Sequence, residues 1–449
     1  MIIKKFMSCQ AVLLLRIGLA ACMFTLLALV LPRGAAAAEV SAGPSLEEVD
    51  FSQVLDAKDP DGLGVMPLDY DGQESTDAKV LALYQQFLGA FDECAAKVEF
   101  PEDATCGEVR RALSLVVANA EYYWVAPKCS LEYEDANKDG KANDDERAAD
   151  AKLRYVVSDT SKIAQIKTQV EAVVSKGLAL VDAKTMSDYQ IALKLHDYVL
   201  SCSAYVNTGD NSCYTPYGAL VCGKAVCQGY SLAYKLLLRR TGMECLYVVS
   251  KDMNHSWNLV QVEGEWYHAD LTWDETATDH HEYFLKSDKS FKSGLTPSHY
   301  GWTTAHKTPD YDYARPMYRL YNKYTGKRFY TSSADERDSL TKVGWTSEDT
   351  GWTAPAKSGT PVYRLYNSYV KGGDHHYTTN EDEVETCKAA GWTDEGIGWY
   401  SAATDGVAVY RAYNPFAVTG THHYTTKADE LKNIVAAGWR DEKIAWYGL

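Results

Sequence analysis

Four stretches of the chain repeat apolar residues at helical spacing: 76–94, 107–124, 160–180 and 186–201. Residues three and four apart share one side of a helix, so each stretch predicts an amphipathic helix with a buried face. The pattern then changes. Residues 214–275 pass from a turn at Gly223 into an apolar helical run with Tyr230, Ala233, Tyr234 and Leu237 at helical intervals. From His255 the period falls to two, with Ser256, Asn258 and Val260 on one face and Trp257, Leu259 and Gln261 on the other. Gly264 predicts a turn, and Trp266-Tyr267-His268-Ala269-Asp270-Leu271 the return strand of a hairpin. Residues 39–75 carry no such period and are acidic and Gly/Asp-rich, which predicts a linker or loosely packed arm.

From 316 onward the chain repeats itself. Met317-Tyr318-Arg319-Leu320-Tyr321-Asn322 returns as Val362-Tyr363-Arg364-Leu365-Tyr366-Asn367 and as Val409-Tyr410-Arg411-Ala412-Tyr413-Asn414. Gly344-Trp345 returns as Gly391-Trp392 and Gly438-Trp439, with a second tryptophan at Trp352, Trp399 and Trp446. The units are 316–360, 361–406 and 407–449, after a linker over 301–315, and each predicts strand, strand, short helix, strand. Units that cannot each bury a face must pack together, here with approximate three-fold symmetry.

Three residues of the 214–275 stretch suggest chemistry. Cys227 falls at the start of the helical run, where free amides and the helix dipole favour thiolate over thiol. His255 opens the alternating strand, and the hairpin brings Asp270 behind its ring. A thiol needs a neighbouring base, and the base needs an orienting carboxylate, so Cys227, His255 and Asp270 form a nucleophile, a general base and acid, and an orienter. The amide of Cys227 is a natural oxyanion donor. Tyr217, Gln228 and Trp257 are further candidates for contact with substrate or oxyanion. His268 shares the strand face of Asp270 and is the competing base.

Three blocks around these residues resemble the transglutaminase-like superfamily: Gly223-Lys224-Ala225-Val226-Cys227-Gln228-Gly229-Tyr230, Asn254-His255-Ser256-Trp257-Asn258 and Trp266-Tyr267-His268-Ala269-Asp270-Leu271-Thr272-Trp273-Asp274. The resemblance spans roughly 115–300 and is nearest to secreted bacterial members. It implies an α+β, papain- or transglutaminase-like core over 201–300, with the cysteine on a helix against an antiparallel sheet. A helical N-terminal region over 76–200 would precede it. It also implies a cysteine peptidase, amidase or acyltransferase working on peptide, isopeptide or glutamine amides. The rival reading is a catalytically silent scaffold that acts as a surface-binding protein. The terminal repeats resemble aromatic modules appended to bacterial cell-wall and glycan-acting hydrolases, which implies attachment to envelope or host glycan. Tyr321, Tyr366 and Tyr413 are the candidates for that contact.

Residues 135–146 satisfy the calcium-loop pattern. Asp135, Asn137 and Asp139 would supply side-chain oxygens, Lys141 its carbonyl, Asn143 a direct or water-mediated contact, and Glu146 two oxygens, for a structural Ca2+. No cofactor is required for the reaction itself.

Residues 1–38 combine Lys4 and Lys5 with a long apolar run and small residues at the end, which predicts a secretory signal. The expected location is therefore extracellular, with cell-wall association, and not integral to the membrane after cleavage. The formal net charge is −16, and losing 1–38 removes four cations and no acid. So acidic a chain argues against nucleic acid and anionic membrane surfaces as partners; a protein or peptide substrate, including peptidoglycan peptide, is what the resemblance implies. Of eleven cysteines nine remain after residue 38, and setting Cys227 aside leaves an even number suited to disulfides. Cys94 with Cys106 and Cys202 with Cys213 are the local pairs.

Overall fold

A computed structural model describes residues 45–50, 77–304, 306–417 and 419–449 of the chain. The expected secretory signal lies outside the described residues. Within the expected arm, Ser45–Asp50 (β1) pairs antiparallel with residues 128–133, and the rest of the arm lies outside the described residues. The order of β1 comes from the backbone ladder rather than apolar burial, since Leu46 is 58% exposed, and that is why hydrophobic pattern did not reveal it.

The four helical periods are α1 (Ala78–Asp92), α2 (Cys106–Ala118), α3 (Ile163–Leu178) and α4 (Asp188–Cys202). Two begin with reciprocal caps, Thr105 with Glu108 and Ser187 with Gln190, which satisfy free amides of the first turn. Strands β2 (Lys97–Glu99), β3 (Lys128–Tyr133) and β4 (Ala148–Lys152) join β1 in a sheet of order β1-β3-β4-β2, which helical periodicity had not foreseen.

Short strands β5 (Ala204–Tyr205) and β6 (Lys224–Ala225) lead into α5 (Cys227–Thr241). That helix is buried from Gln228 to Leu238 and packs on an antiparallel sheet of β7 (Cys245–Ser250), β8 (His255–Val262) and β9 (Glu265–Ala269). Helices α6 (Leu271–Thr276) and α7 (Asp288–Ser293) follow. The chain over 301–315 is not a free linker. Tyr313 is buried, stacked on Tyr189 of α4 at 5.1 Å and edge-on to Tyr267 of β9 at 5.6 Å.

Each terminal repeat is a three-stranded antiparallel sheet with its first strand in the middle, plus one helix. The elements are β10 (Ala314–Tyr321), β11 (Arg328–Thr331), α8 (Ala334–Lys342) and β12 (Thr346–Pro355); β13 (Pro361–Asn367), β14 (Asp374–Thr378), α9 (Glu381–Ala389) and β15 (Thr393–Tyr400); β16 (Val407–Tyr413), β17 (His422–Thr425), α10 (Ala428–Ala436) and β18 (Arg440–Gly448). The units close on each other. The hydroxyl of Tyr330 donates to the carbonyl of Tyr424 (3.0 Å), that of Tyr424 to Tyr377 (2.9 Å), and that of Tyr377 to Tyr330 (3.2 Å). Arginine–glutamate pairs run the same circuit: Arg319 to Glu430, Arg364 to Glu336 and Arg411 to Glu383, at 3.2, 3.0 and 2.9 Å.

Because each hydroxyl also accepts the next tyrosine's buried amide, Tyr377→Phe strands two backbone groups of Tyr330. The expected loss is about 1–3 kcal/mol of stability, read from the midpoint of denaturant unfolding. Tyr363→Phe, whose hydroxyl bond is exposed, should shift it by less than about 0.5 kcal/mol.

Candidate active site

Helix α5 and the β8–β9 hairpin position the three side chains. Gly223 adopts φ +70°, a left-handed turn that favours glycine, and after β6 the chain enters α5 with Cys227 as its first residue. The first turn packs tightly on the segment before it. A Cβ at Gly229 would stand 2.5 Å from the carbonyl oxygen of Cys213, so only glycine lets this turn seat. The N-cap Val226 offers no side-chain partner, and the amides of the first turn lack intrahelical acceptors.

In the hairpin Asn258 pairs with Ala269 and Val262 with Glu265. This register places Asp270, just beyond β9, next to His255 at the start of β8. The Nε2 of His255 lies 2.6 Å from Oδ2 of Asp270. Asp270 is fully buried and also caps α6, its Oδ1 accepting the amides of Thr272 (3.0 Å) and Trp273 (3.3 Å). With Nε2 of His255 engaged, Nδ1 is the ring nitrogen left for the thiol.

The electrostatics follow from these contacts. Burial pushes the Cys227 thiol up, but its hydrogen bond and charge interaction with His255, with help from Ser256, outweigh this and hold it below the ordinary thiol value. Burial pulls His255 down, yet the Asp270 carboxylate and the Cys227 sulfur raise it to about 10. Burial acts to raise Asp270, and the two imidazoles on it, His255 foremost, hold it well below the usual carboxylate range. The arrangement favours a thiolate–imidazolium pair at neutral pH.

The pair opens into a cleft of about 450 Å³ walled by Tyr205, Tyr214, Tyr247, Asn254 and Lys251, with no carboxylate in the lining. Gln228 also lines it. Its side chain is buried and its Oε1 has no hydrogen-bond partner. Tyr217 is half-buried outside this lining, beside Cys222. Trp257 is not in the cleft either. It is 0% exposed, and its indole N–H donates to Nδ1 of His268 at 2.9 Å because its strand face turns into the core. The other ring nitrogen of His268 lies 2.8 Å from Asp288, so both are engaged away from Cys227 and His268 is no rival base. Trp273 is half-buried and stacks on His255 at 5.0 Å with the planes 13° apart.

Sequence reading missed His299. Its Nε2 lies 2.9 Å from Oδ2 of Asp270, and its ring packs on Trp273 and Phe291 with centroids 4.0 and 4.1 Å away. Twenty-nine residues from Asp270 and outside every motif, it gave no local signal. On the far side α6 is pinned by Asp274, whose Oδ2 lies 3.0 Å from Nε2 of His196 on α4 and whose Oδ1 accepts the Tyr283 amide at 2.7 Å.

Among the described residues, two groups bring metal-ligand atoms within 4.8 Å of one another: His255, Asp270 and His299, which are the site just described, and His196, Asp197 and His281. The 135–146 loop bridges β3 and β4 rather than two helices. Oxygens of Asp135, Asn137 and Asp139 accept the amides of residues 139–141 at 2.9–3.1 Å, and Glu146 accepts those of Ala136 (3.0 Å) and Asn143 (2.9 Å). These bonds tie the side-chain oxygens to the loop's own amides, and the Lys141 carbonyl accepts from the side-chain amide of Asn143 at 3.4 Å.

The disulfide expectation is corrected. Cys94, Cys106, Cys202 and Cys213 are thiols, so neither Cys94–Cys106 nor Cys202–Cys213 is bonded. Cys106 and Cys213 are buried in the protein interior, and burial raises the Cys106 thiol to about 11. In the repeats Tyr321, Tyr366 and Tyr413 are only half-exposed. They rest against Arg328 (5.1 Å), His375 (4.9 Å) and His422 (5.3 Å).

Comparison with known proteins bears on both parts. Residues 179–271 match the model of the transglutaminase-like superfamily, and residues 316–449 that of a domain of unknown function, DUF5648. The chain therefore carries a transglutaminase-like domain, with antiparallel sheets in a mixed helix and sheet fold. A solved structure titled "Crystal structure of a TGase" is 12% identical over 40% of this chain, with a TM-score of 0.24. The match spans 53% of that structure, about half its length. No curated protein matches the chain.

The pKa directions fix a pH signature. Alkylation of Cys227 by iodoacetamide should persist well below the ordinary thiol range and change again near pH 10, where His255 loses its proton. Asp270→Asn removes the charge that raises His255, so the alkaline change should move toward neutral pH. Mass spectrometry of the labelled peptide across pH checks both outcomes.

Proposed function

We propose that the protein is a secreted cysteine hydrolase of amide bonds, held at an envelope or host glycan by its terminal repeats. The observation that carries the enzymatic part is the engagement of His255 by Asp270 through Nε2, with Cys227 lowered by the same imidazole. The thiolate of Cys227 would attack the carbonyl carbon of a peptide, isopeptide or glutamine amide. The amide of Cys227 would receive the developing oxyanion. His255 would give its proton to the departing amine or ammonia, leaving a thioester on Cys227. It would then take a proton from water, whose oxygen attacks the thioester and releases the acid and the thiolate.

Hydrolysis is favoured over transfer to an amine by the lining of the cleft. A lysine acceptor enters as a cation, and this lining offers Lys251 but no carboxylate to receive it. The reading that the domain is a silent scaffold sits poorly with a buried, fully hydrogen-bonded Asp270, a costly group to keep without a task. Export and glycan attachment rest on the apolar leader and on the likeness of the repeats to modules of glycan-acting hydrolases.

Incubation with peptidoglycan fragments and glutamine-containing peptides should give cleavage or loss of ammonia by mass, without cross-linked products. Cys227→Ala should abolish it, and His255→Ala should lower it by at least about a hundredfold. No turnover of any of these substrates, together with alkylation of Cys227 no faster than of the other thiols, would favour the scaffold. A structural Ca2+ at the 135–146 loop is a separate proposal. Added calcium should raise the melting temperature of the wild type and not of Glu146→Gln, whose carboxylate is the one expected to close the site.

A further inference from the structure

Each terminal repeat turns between its first two strands through a loop that begins with asparagine: Asn322, Asn367 and Asn414. In every copy the asparagine Oδ1 accepts the amide two residues on, at 3.0, 2.9 and 3.0 Å. The residue so held is Tyr324, Tyr369 or Phe416, and these rings are 79%, 76% and 80% exposed. Exposing a large ring removes the hydrophobic gain of burying it. The same exposure at the same position in all three units of this domain is therefore not an accident of packing.

The loops gather at one end of the domain. Lys327 donates from Nζ to the carbonyl of Gly372, and Asp374 accepts the amide of Gly420 at 3.0 Å and faces the Thr421 hydroxyl at 3.3 Å. A Cβ on Gly420 would come within 3.0 Å of the Cα of Lys327, which closes the circuit of loops. Two of the rings, Tyr369 and Phe416, are also braced. A Cβ on Gly391 would meet the Tyr369 ring at 2.9 Å, and one on Gly438 the Phe416 ring at 3.2 Å. Both glycines precede a half-buried tryptophan, Trp392 or Trp439.

We infer that Tyr324, Tyr369 and Phe416 form a three-point surface that stacks on the C–H faces of a β-linked pyranose polymer, an inference that rests on the glycan reading of the repeats given above. Phenylalanine in the third unit shows that the ring face, not the tyrosine hydroxyl, is the shared element. Residues 316–449 carry seventeen acids against fifteen lysines and arginines. A near-neutral module of this kind has no field to attract a polyanion or an anionic bilayer. Three equivalent sites on one body fit a ligand that repeats, because a second and third contact within the same chain add avidity without new chemistry.

The test is pull-down of the full chain on insoluble chitin and on purified peptidoglycan sacculi, with neutral phosphatidylcholine vesicles as a third arm. The wild type should bind at least one glycan and not the vesicles. Each single change, Tyr324→Ala, Tyr369→Ala or Phe416→Ala, should weaken binding about tenfold, and the triple variant by more than about a hundredfold. Being exposed, the rings can go without unfolding the domain, which circular dichroism checks. Glycan binding unchanged in the triple variant overturns this surface and leaves the glycan reading standing. A wild type that binds neither glycan overturns both, and ring-dependent capture by vesicles assigns the rings to lipid instead.

Discussion

A single buried carboxylate holds the candidate site together. Asp270 has no exposure, and an ionised carboxylate in that setting must be surrounded by donors or it would take up a proton. Four donors meet it: two backbone amides at the start of α6 and the imidazoles of His255 and His299. They come from three parts of the local chain. The carboxylate therefore ties the open end of the β8–β9 hairpin to the helix after it and to the segment near residue 300. The raised basicity of His255, and through it the lowered basicity of Cys227, are consequences of that charge.

The support extends outward. Helix α6, capped by Asp270, is held on its other side by Asp274, which joins His196 of α4. Trp273, between the two aspartates, lays its ring parallel to His255. One short helix thus supplies a cap site, a brace and the ring that steadies the base. Cys227 arrives independently on α5, whose first turn seats only because Gly229 lacks a side chain.

The terminal repeats solve a different problem. Each unit alone is one small sheet and one helix, with too little core to stand by itself. Tyr330, Tyr377 and Tyr424 meet ring to ring with centroids 5.4–5.7 Å apart, and Trp352, Trp399 and Trp446 do so at 5.5–5.8 Å. Six rings of the repeats thus form a shared interior, and most of the others are half-buried. The loop rings at the surface are the exception, and the repeat motif conceals them, because the eye follows the repeated Tyr-Asn while the exposed ring stands two residues further on.

What the sequence by itself determined was everything set by local periodicity or short-range geometry. The four helices followed from spacing, the β8–β9 hairpin from alternation around Gly264, and the repeats from self-similarity. Cys227, His255 and Asp270 were legible because a helix start and a hairpin place them within a few residues of their final positions. Only the tertiary structure decided the rest. β1 joins its sheet through backbone bonds, which leave no trace in hydropathy. Trp257 went to the core and Trp273 onto the ring of His255 because strand direction and helix phase, not residue type, choose a face. His299 reached Asp270, and the repeats closed into a ring, through contacts between residues far apart in the chain, and such contacts exist only once the chain has folded.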